Sequence, residues 1–171
     1  IWSYGHRNPQ GATIGPDGKL WMHEHGPQGG DEINLPQPGR NYGWPVVTFG
    51  ENYGGGKMGE GTAKAGMEQP VAYWETNDGR AWTGGQKSSI APSGLAFFTG
   101  TQPAHWNRSL FVGALAGQAL WRLQLDGTRV VGRERLLANR NERIRDVRQG
   151  PDGRLYLLTD GSSGKLLRIG N

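Results

Sequence analysis

Glycine or proline interrupts nearly every window of a dozen residues in this chain, with 30 Gly and 10 Pro among 171 residues. A helix needs an apolar stripe sustained over ten or more positions, and an interior Gly costs about 1 kcal/mol and an interior Pro about 3. No such stretch survives. What remains are short alternating or apolar runs bounded by turn residues, at 19–23, 94–99, 109–113, 118–125, 144–149, 154–159 and 165–169, and these predict strands. Asp126-Gly127, between 118–125 and 129–137, is a two-residue hairpin signal. The fold class predicted is all-β.

One motif recurs. Gly15-Pro16-Asp17-Gly18-Lys19-Leu20-Trp21 returns as Gly150-Pro151-Asp152-Gly153-Arg154-Leu155-Tyr156, about three steps of 45 residues later, and roughly 40–50 residues is one four-stranded propeller blade. Pro-Asp-Gly turns occur in many contexts, but both copies lead into the same basic-Leu-aromatic strand start. An antiparallel β-propeller is therefore favoured over a sandwich or barrel. At that blade size the chain holds about four blades in a single domain expected over residues 1–171.

Several function classes fall away. The longest mostly apolar run, 110–121, is interrupted by Gln118 and is about half of what a membrane span needs. Absence of Cys removes disulfides, thiolate metal sites and a cysteine nucleophile. Residues 1–85 carry 6 Lys/Arg against 9 Asp/Glu, a net −3, and residues 86–171 carry 13 against 6, a net +7. Those basic residues are scattered singly, without the dense tracts or motifs of a nucleic-acid binder, so no nucleic acid is expected as partner. No Gly-x-Ser-x-Gly elbow, Walker loop or dinucleotide fingerprint stands in its required context. Ser93 reads as a loop serine.

The densest cluster of chemistry runs from His23 to Glu32. On a strand His23 and His25 share a face, which suits zinc or iron or else a pair of polar residues at a strand end. Gly26-Pro27 followed by Gly29-Gly30 offers backbone carbonyls to a hard cation such as calcium, with Asp31 or Glu32 supplying charge. In Asn41-Tyr42-Gly43-Trp44-Pro45, Trp44 anchors a packed turn and Tyr42 has a carbonyl to present to a metal. The segment 50–66 contains seven Gly and is expected to be exposed; its Tyr53 is a sugar-stacking ring or an ordinary surface aromatic. Arg143 and Arg145 share one face of a strand and suit a carboxylate or phosphate, or pair with Glu142 and Asp146. Asp17 and Asp152 read as turn formers.

Taken in order, Ser3-Tyr4-Gly5-His6-Arg7-Asn8-Pro9-Gln10-Gly11, Glu24-His25-Gly26-Pro27 with Gly30-Asp31-Glu32-Ile33-Asn34, Asn41-Tyr42-Gly43-Trp44-Pro45, Gly66-Met67-Glu68-Gln69-Pro70, Ile90-Ala91-Pro92-Ser93-Gly94 and Arg143-Ile144-Arg145-Asp146-Val147 resemble the soluble quinoprotein glucose/sorbosone dehydrogenases, in particular their aldose sugar dehydrogenase branch. The resemblance implies a six-bladed propeller holding pyrroloquinoline quinone (PQQ) at one end through calcium and cationic side chains. It implies that Arg7, Asn8, the loop Ala91, Pro92, Ser93, the loop Ala114, Leu115, Ala116, and Arg143 with Arg145 contact PQQ. Carbonyls of Gly26 and Pro27 face the cofactor calcium, Glu32 and Tyr42 serve a calcium site, and Tyr53 lines the sugar pocket.

The implied reaction oxidises an aldose at its anomeric carbon to a lactone, with an external electron acceptor as second partner, in the periplasm or outside the cell. Two departures accompany it. The family's catalytic His lies upstream of the Arg-Asn motif, at a position other than His6, so the catalytic residue is unassigned in this chain. The chain is thus expected to be a C-terminal portion lacking N-terminal blades and inactive alone. Ala116 stands where relatives commonly carry a basic residue. The rival readings are a calcium-dependent propeller hydrolase of the lactonase kind and a non-catalytic propeller module that binds protein or sugar.

Overall fold

The computed structural model describes residues 1–169; positions 170 and 171 of the expected domain lie outside the described residues. It is built from strands and turns, with two short 3-10 turns at Ala104–Trp106 and Ala138–Arg140. The first sheet joins β2 (Pro9–Ile14), β3 (Leu20–Glu24), β4 (Asp31–Asn34) and β6 (Ala72–Trp74) in that order. The second joins β7 (Pro92–Phe97), β8 (Leu110–Ala114), β9 (Ala119–Asp126) and β10 (Arg129–Leu136). The third has β11 (Ile144–Gln149), β12 (Leu155–Thr159) and β13 (Leu166–Ile169). A short parallel pair, β1 (Ser3–Tyr4) with β5 (Arg40–Asn41), stands apart. Within the three larger sheets every pairing is antiparallel.

The first strand of each sheet is an inner strand: β7 packs beside both β2 and β11. Each sheet then steps outward through its successive hairpins, which is the arrangement of propeller blades. The described residues make three such sheets, not about four. The arithmetic overshoots because irregular residues 43–71 and 75–91 absorb length without adding strands. For the same reason the two Gly-Pro-Asp-Gly copies lie two blades apart, not three. Their geometry is otherwise the same. In each, the first Gly donates its N–H four residues ahead (2.8 Å to Lys19 and 2.8 Å to Arg154) and the Asp carboxylate accepts from the residue two positions on. Each turn joins an inner strand to its neighbour.

The seam between the first two sheets is filled by Trp21, Ile33, Trp74, Leu95, Val112 and Trp121, all nearly inaccessible. Trp74 and Trp121 meet at 5.9 Å between ring centroids. The second seam holds Phe98, Phe111, Ile144, Val147 and Leu157. Burying a side chain of this size stabilises by about 1.5–3 kcal/mol, so flat sheets with apolar faces stack into an arc although no sheet is stable alone. No helix among the described residues is long and apolar enough to cross a membrane.

Candidate functional site

Strand direction decides which residues meet. Pro9 pairs with Glu24, Pro92 with Ala114 and Ile144 with Thr159, so each inner strand begins where the next hairpin turn of its sheet lies. The inner strands run the same way, since Ser93 Oγ donates to the Ile144 carbonyl at 2.6 Å and His25 Nε2 meets the Pro92 carbonyl at 2.7 Å. One end of the arc therefore gathers Arg7-Asn8, the turn 25–30, Ala91, the turn 114–118, Arg143 and the turn 160–165.

All three inner strands also break register near this end, between Pro9 and Gly11, Pro92 and Leu95, and Ile144 and Asp146. A bulge leaves its extra residue unpaired and re-aims its side chain. The residues in these breaks, Gln10, Ser93, Gly94 and Arg145, line one cavity of about 360 Å3 where the strands converge. Gly94 is required there: a Cβ would lie 2.3 Å from the Val147 nitrogen of β11.

Two buried carboxylates hold the loops. Glu24, 2% exposed, accepts the amides of Arg7 (2.5 Å) and Asn8 (3.3 Å) on one oxygen, and His6 Nδ1 (2.9 Å) and Asn34 Nδ2 (3.0 Å) on the other. Since an ionised carboxylate only accepts, His6 carries its proton on Nδ1, and its Nε2 accepts from Ser3 Oγ at 2.9 Å. Asp31, fully buried, accepts the Gly26 amide on Oδ1, and Ser89 Oγ and the Ala91 amide on Oδ2. Burial pushes its carboxyl above the usual range.

Beside them, Arg7, Gly26, Glu32, Tyr42 and Thr48 surround a crevice of about 10 Å3, the scale of one ion or water and far too small for an organic cofactor. Asn34 Nδ2 bridges the two glutamates at 3.0 Å each, while Asn34 Oδ1 is buried without a partner. Burial, with Glu24 adjoining, pushes Glu32 up to about 7. The Tyr42 hydroxyl donates to the Leu35 carbonyl at 2.5 Å and accepts the Gln37 amide at 3.0 Å. It is engaged within its own loop, so Tyr42 can meet a cation only through its backbone. Among the described residues no hydrogen bond reaches the carbonyls of Gly26 or Pro27, and Gly26 admits no side chain, because a Cβ would stand 2.1 Å from the Gly29 carbonyl.

Arg7 lies over the Trp44 ring at 5.2 Å and donates to the His25 carbonyl and to the Tyr53 hydroxyl (3.2 Å), yet its Nε is buried with no partner. Asn8 is exposed beside it. Tyr53 is 75% exposed on a loop secured by Gln28, whose Oε1 accepts the Gly54 amide and whose Nε2 donates to Glu51. The loop containing Ala91 is tied to the turn containing Ala114 and Leu115 by the Leu115 amide donating to the Ala91 carbonyl at 2.9 Å. Ala116 faces solvent at the tip of that turn.

Other expectations change. His23 and His25 form no zinc or iron site: both direct Nε2 at β7 carbonyls, of Gly94 and Pro92, across the seam. Burial depresses His23 to about 4. No group of three or more His, Cys, Asp or Glu able to hold a metal occurs among the described residues, so a cation here relies on backbone oxygens and Glu32. Pro92 and Ser93 are buried ties between sheets through a carbonyl and a hydroxyl, which also removes Ser93 as a nucleophile. Arg143 and Arg145 pair with neither Glu142 nor Asp146; both donate to Asp160 Oδ2, at 3.0 and 2.9 Å. Glu142 instead pairs with Arg140 and Lys165, and Asp146 with Arg148.

Glu24 and Asp160 carried no expected role, Asp31 was expected only as a charge for a cation and proves to be a clamp between loops, and Asn34 had no role assigned. Acids set among Gly and Pro next to apolar strand residues were the available signal for Glu24 and Asp31.

The family model described as Glucose / Sorbosone dehydrogenase matches residues 1–168. The aldose sugar dehydrogenase YliI of Escherichia coli K12 is 49% identical over 172 residues, covering 99% of this chain and 43% of that protein. A crystal structure of a glucose dehydrogenase superposes with a TM-score of 0.90 at 52% identity, covering 100% of this chain and 47% of the other. The PQQ-bound aldose sugar dehydrogenase of Streptomyces coelicolor superposes with a TM-score of 0.70 at 31% identity, covering 98% and 44%. The chain thus spans less than half the length of these relatives.

Proposed function

The chain belongs to the glucose/sorbosone dehydrogenase family, and from that premise we propose that it forms part of a six-bladed, PQQ- and calcium-dependent dehydrogenase that oxidises aldoses at C1 to lactones. The observation that carries the reading is the buried, unpartnered Arg7 Nε at the end of the arc where the Arg143–Arg145 pair also lies. A half-buried guanidinium with one donor unmet favours an anionic, planar partner, and a tricarboxylate quinone is one.

The residues present fit both groups. Arg7, Asn8, the Ala91–Ser93 and Ala114–Ala116 loops, Arg143 and Arg145 would hold PQQ. The free carbonyls of Gly26 and Pro27, with Glu32 and the Tyr42 backbone at an ion-sized crevice, would hold calcium. When bound, the quinone supplies a two-electron acceptor for hydride from the anomeric carbon.

This chain's own side chains bind and orient. Arg7, stacked on the Trp44 ring and held by the His25 carbonyl and the Tyr53 hydroxyl, sets a fixed positive charge where an anion would bind. Asp160 holds Arg143 and Arg145 together, so the trio carries one net positive charge toward an anion. Tyr53, steadied by Arg7, presents an exposed ring to a sugar. Ser3 and Glu24 take up both ring nitrogens of His6 and fix it beside the carboxylate that holds the Arg7–Asn8 backbone. A base outside this chain completes the reaction, and a compartment beyond the cytoplasm suits an enzyme that passes electrons to an external acceptor.

The test is dye reduction by the protein at its full natural length with PQQ, calcium and an aldose. Sugar-dependent reduction that needs both PQQ and calcium is expected, with little turnover by residues 1–171 alone. Calcium-dependent lactone hydrolysis without quinone, and no dye reduction, would overturn the reading in favour of a hydrolase.

A further inference from the structure

At the other end of the arc, a cavity of about 330 Å3 opens between the first two sheets, walled by Trp21, Phe97 and Leu125, with Asp17, Arg108 and Asp126 around it. Its volume lies in the range of small-molecule sites. Pro9 pairs with Glu24 and Ile14 with Leu20, so the turn 15–18 beside this cavity stands a strand's length from Arg7 and Asn8. The site is separate from the end proposed to hold the cofactor.

Arg108 holds φ at 62°, in the left-handed region that residues with side chains seldom occupy. The conformation is pinned, because its amide donates to the Phe98 carbonyl at 2.8 Å and the Ser109 amide donates to the Trp106 carbonyl at 2.9 Å. Its guanidinium nevertheless has no partner among the described residues. Backbone kept in a sparsely populated region clusters at ligand clamps, and here it carries an unpaired charge.

The acids nearby are already matched. Asp17 accepts the Lys19 amide at 3.2 Å and pairs with its ammonium at 3.1 Å, and Asp126 pairs with Arg129 at 2.8 Å. The charge left over is positive, and it sits against apolar surface.

Trp21 adds a donor. It is 1% exposed and packs edge-on against Phe97 at 5.5 Å, and its Nε1 is buried without a partner. At the matching position of the repeated motif, the Tyr156 hydroxyl donates to Asp152 at 2.9 Å. Trp21 makes no such bond to Asp17, although a Cβ at Gly15 would stand 2.8 Å from both Trp21 Nε1 and Asp17 Oδ1. An unmet donor edge therefore lies at the turn that borders the cavity, and a buried donor gains most from an acceptor. A guanidinium, an unmet N–H and a flat aromatic wall together match a planar anion with an apolar body.

We propose that this cavity binds a small carboxylate carrying a flat apolar body, with the body against Trp21, Phe97 and Leu125 and the carboxylate on Arg108 and the Trp21 N–H. Nothing covalent happens here. The ligand bridges the first two sheets and needs neither quinone nor sugar, so the proposal stands or falls apart from the dehydrogenase reading.

The experiment titrates the natural-length protein, with and without saturating PQQ and calcium, using phenylacetate and its neutral isostere phenylacetamide. The acid is expected to bind about tenfold more tightly than the amide, equally in both states, and to shift the indole N–H resonance of Trp21 in NMR spectra. Arg108→Gln, with its melting temperature as a check on folding, is expected to lose the preference for the acid while keeping the weak binding of the amide. Arg108→Lys is expected to keep part of that preference. Absence of acid binding, equal binding of acid and amide, an unmoved Trp21 resonance, an unchanged preference in Arg108→Gln, or displacement of the acid by PQQ would each overturn the site.

Discussion

Asp31 reaches across the seam between the first two blades and accepts the backbone amide of Ala91 at 3.1 Å while its other oxygen accepts Gly26. One carboxylate thus sets the relative position of two loops that belong to different sheets.

Replacing Asp31 with Asn keeps the shape but turns a donor toward the Ala91 amide. Loss of one buried, charge-assisted contact is expected to cost about 2 kcal/mol, a fall in Tm of roughly 4–8 °C. Hydrogen exchange at the Gly26 and Ala91 amides should accelerate together. A variant that melts earlier with both amides still protected would sink the clamp.

Two opposing pH effects should largely offset each other in the parent and separate when either group is removed. His23 has a folded value of about 4 against 6.5 unfolded, so the unfolded chain takes up the proton first and stability is lost as pH falls from 6.5 toward 4, by up to about 3 kcal/mol. Glu32 has a folded value of about 7 against 4.5, so the folded chain keeps its proton longer and stability is lost as pH rises from 4.5 toward 7. Urea unfolding without calcium across that window checks both. His23→Gln should leave stability falling with pH, and Glu32→Gln should leave it rising; parallel curves for all three proteins would refute the assignment.

Arg7→Lys retains charge but loses the planar fork and the buried Nε. Affinity for PQQ at saturating calcium should fall about tenfold, and about a hundredfold in Arg7→Ala. Fluorescence titration reads it, and parent-like affinity in Arg7→Ala would exclude Arg7 from the site.

Ala116, exposed at the tip of the β8–β9 turn, is a place to gain function. Ala116→Lys adds a cation at the end of the arc proposed to hold the cofactor and is expected to tighten PQQ about tenfold at low salt, with the gain shrinking as salt rises. No change at any ionic strength would show that this turn faces away from the cofactor.

Much of this was legible beforehand where local chemistry decides. The runs that became β3, β7 to β9 and β11 to β13 are apolar and bounded by turns, and Asp126-Gly127 does close the β9–β10 hairpin. Strand β2 was missed because Gly11 lowers its propensity, and Gly11 is there because a Cβ would strike the buried His23 at 2.6 Å. Strand β6 is three residues long, too short for any period to show. The cationic and glycine-rich site residues were visible as types; Glu24, Asp31 and Asp160 were visible only as acids, since a carboxylate's role depends on which amides or guanidiniums fold against it.

The sequence by itself determined an all-β chain, its repeated Gly-Pro-Asp-Gly turn, and a set of residues suited to an anionic cofactor and a hard cation. These follow from propensity, spacing and side-chain chemistry, which are local. Tertiary structure decided that those residues share one end, that each inner strand bulges there, that His23 and His25 join sheets instead of binding metal, and that Arg143 and Arg145 answer to Asp160. Those outcomes depend on strand direction and on pairings made 15 to 71 residues apart, as between Arg145 and Asp160 or His23 and Gly94, and only the packed arc brings such partners within a hydrogen bond of each other.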